Sequence, residues 1–296
     1  MEIMRQLKAA GVALVLCCAG LAQAAGVLER VRAGGALVIA HRESSVPFSY
    51  VYNGKAMGYA MDLCQRMAEA VRKKAGTKEM PVQFLAVTSA NRLEMVKTGR
   101  ADMECGSTTN NAERRKDVAF TIPHFITGAR LLVPATSAVT RLEDMEGKRL
   151  VSTKGTTVLK AIDEANRERL MRIQVIEAPD HEAAVAMLEK GQAEAFVMDE
   201  VLLYGLAASR PDPRALKVVG RLLTTEPLAI MLPRNDPEFK KLVDDEMRRL
   251  IVSGEIQAIY DKWFLQPIAP SQRALSLPVS YLLREFWKYP TDQVPF

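Results

Sequence analysis

The sequence predicts an α/β protein of two similar lobes, joined by a two-segment hinge and facing one another across a ligand cleft. Three observations carry that prediction. Apolar β-branched runs alternate with helical periodicity, one strand-and-helix pattern recurs, and two apolar segments stand where the chain could cross between lobes. The length of 296 residues suits roughly two domains of about 150 residues each. A chain that is 48% hydrophobic and 25% charged is globular, neither disordered nor fibrous.

Arg5 and Lys8 precede an apolar run from Ala9 to Leu21, followed by the small-residue triplet Ala22-Gln23-Ala24. This is the layout of a secretory signal peptide over residues 1–24, cleaved near Ala24. A membrane anchor is disfavoured, because about 13 apolar residues fall short of the roughly 20 that span a bilayer. Removing Glu2, Arg5 and Lys8 from the +5 total leaves +4. The densest basic cluster, Arg114-Arg115-Lys116, is flanked by Glu113 and Asp117, so it reads as a mixed solvated face and no nucleic-acid partner is expected. After export Cys64 and Cys105 lie in an oxidising compartment, where a disulfide and two buried thiols both fit. Sequence alone sets no distance between them, and the unpaired reading is preferred.

The first lobe begins with a buried strand, Leu37 to Ala40, and an amphipathic helix from Met57 to Lys73. A strand from Val82 to Val87, a helix from Ala90 to Lys97 ended by Gly99, and a short strand from Ala101 to Glu104 follow. The second lobe repeats the rhythm: strand Leu150 to Ser152, helix Thr157 to Glu168, strand Ile173 to Ile176, helix Glu182 to Lys190, strand Ala195 to Met198. Met95-Val96-Lys97-Thr98-Gly99-Arg100-Ala101-Asp102 also resembles Met187-Leu188-Glu189-Lys190-Gly191-Gln192-Ala193-Glu194, a helix ending at glycine before a strand. Thr127 to Pro134 and Pro227 to Pro233 are the expected crossings. The first lobe is then discontinuous, residues 25–128 and 232–268. The second covers 129–231, and 269–296 form a C-terminal extension with an amphipathic helix over Tyr281 to Trp287.

Ligands of open α/β sheets bind beyond the carboxyl ends of the strands. Arg42 stands at such an end, Ser89 and Arg92 at another, and Ser107, Thr108, Thr109 and Arg114 at a third. Taken singly, Ser89 or Ser107 reads more readily as a helix cap, and any one arginine as a surface residue. Together they form an anion receptor, since guanidinium forks bind carboxylates bidentately. In the second lobe Lys154-Gly155-Thr156-Thr157 offers a helix start to an anion or simply a glycine turn with a threonine cap, His181 a further donor or a helix-start cap or core histidine, and Asp199 an acid suited to an ammonium or to capping the next helix. Two sets of cationic donors and one acid match an acidic amino acid, with two carboxylates and one ammonium. The three histidines and four cysteines show no metal-site spacing, and no GxSxG, Walker-A or GxGxxG motif occurs, so no metal, cofactor or catalytic residue is expected.

His41 to Tyr50, Thr88 to Arg92 and Glu104 to Arg114 resemble the periplasmic glutamate/aspartate-binding proteins among the family 3 solute-binding proteins of ATP-driven (ABC) amino-acid importers. The likeness continues through Lys154 to Thr157, Asp180-His181, Met198-Asp199 and Asp261 to Phe264. It implies the type II periplasmic-binding-protein fold, lobe closure over the ligand, a periplasmic location, a monomeric receptor and an inner-membrane permease as partner. By that resemblance Arg114, Thr109, Thr156 and Thr157 take the α-carboxylate, and Ser107 and Asp199 the α-ammonium. Arg42, Ser89, Arg92 and His181 take the side-chain carboxylate. The tail from Ser271 to Phe296 departs from the pattern. An enzyme on the same scaffold, such as a cyclohexadienyl-type dehydratase using Glu104 or His181 as acid or base, is the alternative.

Overall fold

A computed structural model describes residues 26–294. The signal-peptide expectation falls on residues outside that range. Helix α1 (Val27–Arg32) leads into β1 (Leu37–His41), then a small antiparallel sheet of β2 (Ser44–Ser45), β3 (Ser49–Tyr52) and β4 (Lys55–Met57). Helix α2 (Tyr59–Ala75) starts two residues later than periodicity suggests, because Met57 still pairs with Tyr50 in the small sheet. Next come β5 (Val82–Ala86), α3 (Arg92–Lys97), β6 (Met103–Thr109), β7 (Val118–Phe120) and β8 (Phe125–Thr127).

The chain then passes through Gly128 into a second sheet. Its elements are β9 (Ala129–Pro134), β10 (Arg149–Thr153), α4 (Thr157–Glu168), β11 (Gln174–Ala178), α5 (His181–Glu189), β12 (Ala195–Asp199), α6 (Glu200–Ala208) and β13 (Leu216–Val219). Strand β14 (Glu226–Pro233) returns to the first sheet, followed by α7 (Pro237–Val252), α8 (Glu255–Phe264) and α9 (Tyr281–Lys288).

The first sheet runs β5-β1-β6-β14-β7 with β8 also on β14, and the second β11-β10-β12-β9-β13. In each, three parallel strands are joined by returning antiparallel ones. The inner strands of each sheet are buried, as strands covered on both faces are, whereas the edge strands β5 and β11 carry polar residues and are largely exposed. Strand β14 is buried along almost its whole length, from Glu226 to Leu232.

Further expectations are corrected by the structure. The second crossing is residues 220–225, not Pro227 to Pro233, because β14 pairs with β6, β7 and β8 from its first residue onward. The first sheet therefore resumes at Glu226 and not at 232. Strand β6 runs on to Thr109, with Thr108 and Thr109 opposite Ala229 and Leu228, so the Ser-Thr-Thr run lies within the strand. Cys64 and Cys105, expected unpaired, are joined in a disulfide. Cys64 lies on the buried face of α2, and that helix packs on the sheet in which β6 carries Cys105. The packing brings their Cα atoms to 6.3 Å, a separation that suits the bond.

The two crossings run side by side: Ala129 N–H donates to Thr224 Oγ1 and Leu223 N–H to the Ala129 carbonyl. The C-terminal extension touches both halves. It leaves α8, and Arg273 donates to the carbonyls of Ala208, the last residue of α6, and of Arg210 just beyond it. It then returns to the first half, where Leu277 N–H meets the Phe264 carbonyl and Tyr260 Oη donates to the Leu277 carbonyl. Leu283 is the buried residue of α9.

Candidate functional site

Arginines 42, 92 and 114 converge. Arg42 follows the last residue of β1, Arg92 opens α3, and Arg114 opens a 3-10 turn beyond β6. Arg42 and Arg92 are 1% and 2% exposed and Arg114 8%, values far from those of surface arginines. Burial pushes the Arg42 guanidinium down to about 9, with Arg92 and Arg114 adding repulsion and Glu104 and Asp180 opposing it. Burial and Arg92 push Arg114 down to about 10. Burial lowers Arg92 too, against the pull of Glu104, Asp199 and Glu226. Three cations so placed are costly unless charges of the other sign meet them.

The protein satisfies them only in part. Arg42 Nη2 donates to Ser89 Oγ at 2.7 Å, while its Nε and Nη1 have no partner among the described residues. Among the described residues Arg92 reaches only the Ser107 carbonyl, at 3.5 Å, and its Nε has no partner. Gly106 makes room for Arg42, since a Cβ there would lie 2.9 Å from Arg42 Cγ and 2.4 Å from Glu104 Oε1. Arg114 is the better anchored: Nη1 donates to the Thr109 carbonyl at 3.0 Å and Nη2 to the Gly155 carbonyl of the second lobe at 3.3 Å.

From the second lobe come His181, first residue of α5, and Asp199, last residue of β12. His181 Nδ1 lies 2.7 Å from Thr153 Oγ1, and its buried Nε2 has no partner among the described residues. Burial, then Arg42 and Arg92, hold the ring well below the usual imidazole range, so it is neutral at pH 7. Asp199 is 2% exposed, its Oδ1 has no partner among the described residues, and it makes no side-chain cap to α6 although it occupies the N-cap position. Burial and the neighbouring Glu226 push its carboxyl well above the ordinary range, against Arg92 and Arg114.

Ser89, Arg92, Ser107, Thr109, Thr156, Thr157, His181 and Asp199, with Met198, line one narrow, nearly closed gap. Arg42 stands behind Ser89 and Arg114 at the gap's edge beside Gly155, so all ten expected residues come together. The capping roles weighed for them are not taken up: α3 is preceded by Asn91, Ser107 is within a strand, and Thr156 makes no side-chain cap to α4.

Two features are not legible in the sequence. The hydroxyls of Thr156 and Thr157 donate to the Thr153 carbonyl (2.8 Å) and Glu226 Oε2 (2.9 Å). What the helix start offers an anion is therefore backbone N–H groups, favoured by the helix dipole. Glu226 itself, 3% exposed, stands in no motif that would have singled it out. The lobes are in intimate contact here. A Cβ at Gly155, whose φ is +79°, would lie 2.6 Å from Ala90 Cα and 2.7 Å from the Ser89 carbonyl oxygen.

The sequence pattern of the bacterial extracellular solute-binding proteins, family 3, matches residues 37–266. The chain belongs to that family. It is 39% identical over 275 residues to a glutamate/aspartate import solute-binding protein of Salmonella typhimurium, covering 93% of this chain and 91% of the relative. An L-glutamate/L-aspartate-binding protein of Pseudomonas aeruginosa is 40% identical over 270 residues, covering 90% and 89%. Among solved structures, a solute receptor for L-cysteine of Neisseria gonorrhoeae superposes with a TM-score of 0.72 at 23% identity, covering 81% of this chain and 94% of that one. At that identity the likeness shows the fold, and the fold of this solute-binding protein is the two-lobed α/β type expected.

Proposed function

We propose that this protein is the periplasmic receptor of an ATP-driven importer, closing on glutamate or aspartate and delivering it to an inner-membrane permease. The observation that carries the reading is the set of buried, unpartnered polar atoms around one gap: guanidinium nitrogens of Arg42 and Arg92, Nε2 of His181, and a carboxylate oxygen of Asp199. Each costs free energy until a partner of complementary charge arrives. A ligand with two carboxylates and one ammonium supplies all of them at once. The α-carboxylate goes to Arg114, Thr109 and the N–H groups at Thr156 and Thr157, and the ammonium to Ser107 and Asp199. The side-chain carboxylate goes to Arg42, Ser89, Arg92 and His181.

The names of the relatives in Salmonella typhimurium and Pseudomonas aeruginosa support the same ligand class. Export rests on the leader over residues 1–24, and no helix among the described residues is long and apolar enough to cross a membrane. The receptor acts as a monomer. A dehydratase has no comparable support, since these relatives are named as binding proteins and Glu104 Oε2 is engaged by Thr108 Oγ1 at 2.6 Å. Calorimetric titration of the purified protein with L-glutamate and L-aspartate is the test; heats flat for both at millimolar ligand end the proposal.

A further inference from the structure

Glu226 is the first residue of β14, where the second crossing enters the first sheet opposite Thr127. It is buried at 3% exposure, and its Oε2 accepts from Thr157 Oγ1 at 2.9 Å. Thr157 opens α4, which packs on β10 and β12 of the other lobe. One side-chain hydrogen bond thus joins the hinge strand of one lobe to the anion-facing helix start of the other. Two further contacts meet that helix start from the first lobe: Arg114 donates to the Gly155 carbonyl, and Gly155 abuts the backbone of Ser89 and Ala90. The charged groups around Glu226 are Arg92 and Arg114 from the first lobe and Asp199 from the second.

The geometry points to Glu226 as a closure latch, a positioning residue that acts through Thr157 to hold the Gly155–Thr157 turn over bound ligand. This rests on the functional reading above. The latch occupies the hydroxyl of Thr157, so it orients the helix-start N–H groups toward the gap without competing for the ligand's carboxylate. Lobe opening moves Thr157 away from the hinge strand and breaks the bond, so its strength shows mainly in how slowly ligand leaves.

Dissociation of L-glutamate and L-aspartate, followed by stopped flow on wild type, Glu226→Ala, Glu226→Gln and Thr157→Val, tests this. Alanine and glutamine both remove the charge, so the difference between them isolates the hydrogen-bond acceptor. Glu226→Ala is expected to release ligand about five- to tenfold faster than Glu226→Gln, the effect of one hydrogen bond. Thr157→Val accelerates release about tenfold over wild type, Thr157→Ser restores it, and adding Thr157→Val to Glu226→Ala brings no further change. Should Glu226→Ala not fold, the Thr157→Val and Thr157→Ser pair carries the test alone. Equal release rates for the alanine and glutamine variants, additive effects in the double variant, or Thr157→Val indistinguishable from wild type each overturn the latch while leaving the binding function standing. Wild-type protein silent toward both amino acids overturns the two together.

Discussion

Replacing Cys64 and Cys105 with alanine removes a cross-link between α2 and β6 and is expected to cost about 4 kcal/mol of stability. The bond closes a loop with a sequence separation of 41 residues. Loop-closure entropy for about 41 residues is roughly 13 cal/mol/K, or about 4 kcal/mol at 25 °C. Removing the two sulfurs from the core is a smaller matter, because both residues are wholly buried among apolar neighbours that alanine also suits. For a chain of this size about 4 kcal/mol corresponds to a thermal midpoint lower by roughly 10 °C. Urea unfolding of the wild type and the double variant, both starting at Gly26, measures the loss. The denaturant slope of the variant rises too, since its unfolded chain is no longer cross-linked and exposes more surface. A urea midpoint and a slope both unchanged from wild type would refute the entropy reasoning. Because β6 also carries Ser107 and Thr109, the surviving folded variant tests how far the cross-link steadies the gap.

Arg92→Ala is expected to weaken acidic ligands about 100- to 4,000-fold, the loss of a buried pairing of roughly 3–5 kcal/mol, with little change in the ligand-free thermal midpoint. The side chain has one marginal protein hydrogen bond to lose, and a matching loss of ligand-free stability would make it structural instead. Gly155→Ala places a Cβ against the backbone of Ser89 and Ala90 at a positive φ, so it props the lobes apart; affinity falls at least about tenfold while ligand-free stability falls by about 1–3 kcal/mol at most. Unaltered affinity by calorimetry would remove Gly155 from the closing surface. His124, packed between Phe48 and Tyr59, is held by burial at about 3. Below pH 6.5 the unfolded chain takes a proton that the native ring refuses, so stability present above 6.5 is lost as pH falls toward 3. His124→Gln flattens that dependence by about 1.4 kcal/mol per pH unit in urea titrations, and an unchanged slope contradicts the assignment.

What can be read from the sequence and what cannot divide along a physical line. Charges and hydroxyls at the tips of apolar strands are a local signal, and Arg42, Arg92, Arg114, His181 and Asp199 all carry it to one gap. The alternation of periodicities marks the two lobes for the same reason. Long-range facts leave no such trace. Nothing in Leu228 to Leu232 says which sheet its hydrogen bonds will join, so the apolar pattern puts the second crossing several residues late. Gly106 to Thr109 is small and polar, a composition that suggests a loop, yet its partners on β14 hold it as strand. Glu226 precedes Pro227 with no neighbouring pattern, and only Thr157 of the other lobe gives it a role. The cysteine pair depends on how α2 settles across the sheet, a matter of packing that neither neighbourhood encodes.

The stretch between Phe264 and Leu277 has both ends moored on the first lobe and its tip, Arg273, fastened to backbone oxygens of the second. Such a loop works as a tether. Any swing of the halves beyond the slack of that short span must first unfasten the arginine from those backbone oxygens.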